Sequence, residues 1–177
     1  FDRAGKNSMS EAITRQPLEM RWRWARSIYR AGLRVWLRWR QHHLKRVQIE
    51  YIDGWPLIVL PGVFNGVQIR SGLMLARALE TVLLSASARV LDLGTGSGLG
   101  AIYAARQGAH VIGTDINPEA VRCAQLNALA NHVEERIEIR LGDLFEPVHD
   151  ERFDVILFNP PYYRGQPRDF ADRAWRG

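Results

Sequence analysis

Across 177 residues the sequence has a single cysteine, Cys123, which excludes an internal disulfide framework and fits a reducing compartment. Cys123 falls within a predicted helix, so a small buried hydrophobe is expected there rather than a catalytic thiol. Long apolar runs are missing too. The longest helical stretch is broken by arginines every few residues, so no segment is expected to span a membrane. Phe1 to Ser10 lack the apolar core of a secretory signal, and the expected location is cytoplasmic. Without internal repeats or low-complexity tracts, an ordinary globular domain is left rather than a solenoid or a disordered array. No metal ligands are assigned.

Positive charge is what the sequence has in excess, and it is concentrated. The formal net charge is +5, yet nine Lys or Arg stand against two acids between Leu18 and Glu50, leaving 15 basic and 17 acidic residues elsewhere. In that segment Trp22, Ala25, Tyr29, Leu33, Trp36 and Leu44 recur at near-helical spacing with arginines between them. This predicts an amphipathic basic helix over 18–46. Val47 to Ile52 and Trp55 to Leu60 read as strands joined at Asp53-Gly54, a strong hairpin signal. Pro61-Gly62 ends the second, and after Phe64-Asn65-Gly66 a helix is expected from about Ser71 to Leu84.

From Arg89 onward strands and helices alternate. Strands are expected at Val90–Leu93, Val111–Thr114, Ile137–Leu141 and Val155–Phe158. A helix follows the first glycine loop to about Gly108. Another begins at the Asn117-Pro118 cap and runs to about Asn131, with Val121, Ala124 and Ala128 on one face. Val155 to Phe158 is apolar throughout, as a strand covered on both faces should be. The order predicts an α/β fold with a Rossmann-like, doubly wound parallel sheet that takes its ligand at the carboxyl ends of the strands. Three segments result: 1–46, a tail and basic helix; 47–84, a hairpin and helix leading into the catalytic domain; and 85–177, the ligand-binding domain.

Asp92-Leu93-Gly94-Thr95-Gly96-Ser97-Gly98 closes the first sheet strand. Glycines let the backbone turn tightly and approach a ligand, while the next helix presents its N-terminus. Alone, the run indicates a nucleotide-like cofactor, and Gly96-x-Gly98-x-x-Ala101 satisfies a loose dinucleotide fingerprint. Asp115 ends the second strand about 20 residues on, where an acid can accept hydrogen bonds from both ribose hydroxyls. Asn117 already caps the next helix, so Asp115 is free for that role. Asp143 and Leu144 could meet an adenine amino group and ring, although Gly142-Asp143 is also simply a turn.

Asn159-Pro160-Pro161-Tyr162 closes the fourth strand. An amide or aryl amine is a poor nucleophile because its lone pair is delocalised. Asn159 and the Pro160 carbonyl can each accept a hydrogen bond from such an NH2 group, which favours a pyramidal nitrogen with its lone pair aimed at an electrophile. Pro161 has no N–H to compete, and the diproline stiffens the loop. Tyr162 offers a flat face to a planar group beside a positive charge. Catalysis of this kind is positioning and electrostatics, with no covalent intermediate.

These runs resemble class I S-adenosylmethionine-dependent methyltransferases of the HemK-like methyltransferase small domain group, over about residues 47 to 164. The group's glycine motif is similar to Val90–Gly98, its second motif to Asp115-Ile116-Asn117-Pro118, and its substrate motif, the most specific, to Asn159-Pro160-Pro161-Tyr162. The resemblance implies S-adenosylmethionine as cofactor. It implies that Asp92, Gly94, Thr95, Gly96 and Gly98 face its methionine part and that Asp115 meets the ribose. Ile116, Asp143 and Leu144 would face the adenine, and Asn159 would touch both cofactor and acceptor, with Pro160 and Tyr162 beside it in catalysis. Three further strands are also implied, so the chain is expected to be a C-terminally truncated fragment. Pro61 to Gly72 differs from the Arg-Pro-Glu-Thr-like motif of the group's glutamine methyltransferases.

The expected reaction is N-methylation of a planar nitrogen. A glutamine side chain (N5) in a translation factor or ribosomal protein comes first. The N6 amine of adenine, or another base amine in RNA or DNA, comes second. A non-catalytic module binding S-adenosylmethionine or RNA is the rival from another class, and a nicotinamide-dependent oxidoreductase is more distant. Arg21 to Arg46 would either lay Trp22, Tyr29 and Trp36 on the catalytic domain or contact RNA, with arginines on phosphates and Trp24 or Trp39 on bases.

Overall fold

The computed structural model describes residues 46–68, 70–82, 84–160 and 165–166. The chain divides into units 1–43 and 44–177, and everything below belongs to the second. The basic helix expected over 18–46, apart from its last residue Arg46, and the site residue Tyr162 lie outside the described residues.

Strands β1 (Gln48–Ile52) and β2 (Trp55–Val59) form the expected antiparallel hairpin, in register from Gln48↔Val59 to Ile52↔Trp55. Asp53 and Gly54 both take positive φ, 48° and 88°, which gives the turn the twist that two hydrogen-bonded strands require. Alternation buries Trp55, Leu57 and Val59. The turn is anchored from outside: Tyr103 donates its hydroxyl to Asp53 Oδ2 at 2.7 Å, and Arg77 meets Asp53 Oδ1 at 2.8 Å. Helix α1 covers Arg70–Ala78 and tightens into one 3-10 turn at Leu79–Thr81, several residues short of the Leu84 expected. There Thr81 donates its hydroxyl back to the Ala78 carbonyl at 2.6 Å, and Val82 is already extended.

The remaining elements are β3 (Arg89–Leu93), α2 (Leu99–Arg106), β4 (His110–Asp115), α3 (Pro118–Ala130), β5 (Ile137–Leu141) and β6 (Val155–Phe158). The four strands form a parallel sheet in the order β5-β4-β3-β6. This is the doubly wound α/β arrangement read from the sequence. The chain runs outward from β3 to β5, then returns past β3 to β6, and this reversal opens a crevice at the carboxyl ends of β3 and β6.

One sheet face, with Val90, Val111 and Leu157, packs against α2 and α3 through small residues such as Ala101, Ala104, Ala105 and Ala120. The other, with Leu91, Leu93 and Ile112, is covered by Val148 and Phe153. Among the described residues that cover stops short of β6, where Ile156 and Phe158 are 50% and 44% exposed. The expectation that β6 is covered on both faces therefore fails for its outward pair. The buried face of α3 holds Ala124 and Ala128 as read by spacing and extends to Ala120, Cys123 and Asn127, while Val121 is only half-buried. Cys123 is enclosed as expected, and burial pushes its thiol up to about 11, so it is no thiolate nucleophile near neutral pH.

Candidate functional site

Asp92 sits one residue before the end of β3, on the face covered by α2. Its Oδ2 accepts from the Thr95 hydroxyl at 2.7 Å and from the Ala101 N–H at 2.9 Å. One carboxylate therefore folds the glycine loop back on itself and caps the first turn of α2. Burial raises Asp92 from the usual 3.8 to about 6, although both hydrogen bonds favour the charged form; Asp115 adds a smaller push upward.

Gly94, Gly96 and Gly98 all take left-handed φ, at 67°, 56° and 82°. Gly96 turns its N–H to Asp115 Oδ2 at 2.9 Å, while Asp115 Oδ1 accepts from the Asn117 N–H at 2.9 Å. Burial raises Asp115 above the usual carboxylate value, against these backbone donors. Asn117 is the expected helix cap, accepting from the Glu119 N–H at 3.0 Å, and its amide also donates to the Gly62 carbonyl at 3.2 Å. Beyond β5, Leu144 holds a φ of 46°, rare for a side chain of its size, and its carbonyl accepts from the Thr114 hydroxyl at 3.2 Å.

These elements enclose a cleft of about 540 Å³ at the carboxyl ends of the sheet. Of the expected site residues, Asp92, Gly94, Thr95, Gly96 and Asp115 line it, as do Ile116, Asp143, Leu144 and Asn159. Leu93 pairs with Phe158, so Asn159 leaves β6 level with Gly94 at the start of the glycine loop. Gly98 is not among the lining residues. It faces α3, where an added Cβ would lie 3.1 Å from both Cα and Cβ of Ala124. Pro160 is exposed and does not line the cleft.

Sequence reading missed Phe64, Leu75, Ala76, Thr114, Asn117 and Leu157, which also line it. The turn residues around Phe64 were a signal that its loop is shaped for a purpose. That loop is pinned by Asn65, whose amide donates to Gln48 and Glu50 of β1 at 2.9 and 3.0 Å.

The charged residues in the described lining of the cleft are three carboxylates, Asp92, Asp115 and Asp143, with no Lys or Arg in that lining. The α2 N-terminus is capped by Asp92, and the Gly96 amide is spent on Asp115. A pyrophosphate would meet carboxylates where it needs donors. A cationic nucleoside fits instead, and S-adenosylmethionine has the positive sulfur, ammonium, ribose and adenine for which these residues are suited.

Known proteins resemble this chain. A release factor glutamine methyltransferase of Cereibacter sphaeroides is 49% identical over 86 residues, 48% of this chain and 31% of the relative. Ribosomal RNA small subunit methyltransferase C of Hamiltonella defensa is 33% identical over 133 residues, 74% of this chain and 36% of the relative. The chain thus spans about a third of the length of these relatives. Among solved structures, the T. thermophilus 16S rRNA N2 methyltransferase RsmC, in complex with AdoMet and guanosine, superposes with a TM-score of 0.57 at 32% identity. That match covers 67% of this chain and 33% of the other. The family model described as methyltransferase small domain matches residues 54–175, more than half of the sequence, and the chain belongs to that family.

Proposed function

We propose that the protein transfers a methyl group from S-adenosylmethionine to the side-chain amide nitrogen (N5) of a glutamine in a protein acceptor. The observation that carries this reading is the position of Asn159, level with the glycine loop on the wall of a cleft whose charged lining is acidic. When bound, the cofactor supplies a methyl group made electrophilic by positive sulfur. Asp115 would accept from the ribose hydroxyls, and Ile116 and Leu144 would hold the adenine. Asp92 fixes the glycine loop and would supply negative charge to a bound cation. The Asn159 amide oxygen would accept from the acceptor NH2 and so turn its lone pair toward the cofactor. Phe64, Leu75 and Leu157 give the same cleft apolar walls. The methylated amide nitrogen is strongly acidic, so its surplus proton passes to solvent without a dedicated base.

A neutral side chain suits a cleft with no cation in its described lining, and the C. sphaeroides relative's name agrees. A translation factor or ribosomal protein is the acceptor, and the setting is cytosolic. A base amine in RNA is the second reading, favoured by the longer alignment with the H. defensa relative. The deciding experiment incubates the protein with methyl-labelled S-adenosylmethionine and cell extract. Label recovered as N5-methylglutamine supports the proposal, label in RNA nucleosides selects the second reading, and no transfer at all favours a binding module.

A further inference from the structure

The side chain of Asn127, on α3, is fully enclosed at 0% exposure and reaches two other parts of the molecule. Its Oδ1 accepts from the Ile58 N–H at 2.7 Å, and its Nδ2 donates to the Ile58 carbonyl at 2.6 Å. The same Nδ2 donates to the Ser97 carbonyl, in the glycine loop, at 2.9 Å. Two carbonyls and one N–H fix the amide's orientation, because turning it over would set oxygen against both carbonyls. No other side chain fills this role. Aspartate lacks the donors, and glutamine is a methylene too long for a closed site.

Ser97 precedes Gly98, whose left-handed backbone sends its N–H to the Thr95 carbonyl and its own carbonyl to the Ile102 N–H, both at 2.9 Å. The peptide that Asn127 grips therefore lies between the cofactor loop and the start of α2. We infer that Asn127 is a positioning residue, linking the β1–β2 hairpin to the glycine loop so that its grip on the Ser97 carbonyl sets the loop's cofactor-binding shape. This rests on the reading of the cleft as the S-adenosylmethionine site.

Asn131 provides the control. One turn further along α3, it donates to the Pro56 carbonyl at 2.9 Å and to the Asn127 carbonyl at 2.9 Å. It holds the same hairpin without a bond to the loop. The test measures S-adenosylmethionine binding by calorimetry and backbone amide exchange at Gly96 and Gly98, for the full chain and the variants Asn127→Asp and Asn131→Ala. Asn127→Asp is expected to weaken binding by roughly tenfold or more and to speed exchange at both glycines. Asn131→Ala should lower the melting temperature yet leave binding within roughly twofold and exchange unchanged. Should Asn127→Asp fail to fold, Ile58→Pro removes the donor to Oδ1 from an edge position and is read by the same two measurements. Normal binding and exchange in the folded variant, or equal effects from Asn131→Ala, would overturn the inference. If the unaltered protein does not bind S-adenosylmethionine, the cofactor reading fails alone, and amide exchange still decides the role of Asn127.

Discussion

Replacing Asp92 with Asn separates what the buried carboxylate costs the fold from what it gives the site. In the unfolded chain this carboxyl loses its proton near 3.8, and in the folded protein at about 6. Between those values the folded state holds more protons than the unfolded one, so this group's contribution makes stability fall as pH rises through the window. Below about pH 4 both states are protonated and nothing is lost. Above about pH 6 the loss is complete, at ~3 kcal/mol from two pH units.

Asparagine keeps a carbonyl oxygen for the Thr95 and Ala101 donors and never ionises. Asp92→Asn should therefore match the unaltered protein at pH 4 and exceed it by up to ~3 kcal/mol at pH 7.5. Urea denaturation of both proteins at the two pH values measures this. Asp53, Glu138 and Glu151, whose partners hold them below the usual carboxylate range, titrate alike in both proteins and cancel in the difference. The variant should bind S-adenosylmethionine more weakly at pH 7.5 despite its greater stability. An equal stability difference at both pH values would refute the reasoning, since a buried charge must show its cost only where it exists.

Asn159→Ala should leave cofactor affinity within a few-fold and lower turnover by at least ~10²-fold, the scale for one positioned polar contact to the reacting group; steady-state kinetics with calorimetry check it. Asp115→Ala should weaken S-adenosylmethionine binding by ~1.5–3 kcal/mol, with no NAD binding in either protein by calorimetry. Gly72→Ala would place a Cβ 2.6 Å from the Gly66 carbonyl oxygen, and thermal melting should show a loss of about 1–3 kcal/mol. Replacing Arg23, Arg30, Arg34 and Arg38 with Gln should spare cofactor binding. If 18–46 contacts RNA, it should also flatten the salt dependence of RNA binding by ~0.7 log units per lost single-strand phosphate contact.

Much of this protein could be read before its structure, because its signals are local. Asp53-Gly54 specified the hairpin turn, Asn117-Pro118 the start of α3, and the β-rich runs the sheet strands. The glycine loop and Asn159 were legible as one site because both sit at strand ends. What escaped was long-range. Nothing local to Asn127 tells that it will bond Ile58, 69 residues earlier, instead of facing water. Gly98 looked like part of the cofactor loop, yet its lack of a side chain serves contact with Ala124. Spacing placed Val121 on the buried face of α3, but the hairpin and loop reach that helix from a direction that favours Cys123 and Asn127. Phe64 was passed over because its place at the cleft depends on Asn65 reaching back to β1.

A short two-stranded hairpin is a hazard when its edges are open, since a row of unspent N–H and C=O groups is a template for another chain. Along β2 that template is removed by a helix. Both backbone groups of Ile58 are taken by Asn127, the Pro56 carbonyl is taken by Asn131, and Pro56 has no N–H to offer. These backbone groups of β2 are therefore not available to an incoming strand. The amides of α3 guard against aggregation in the same contacts by which they hold the fold.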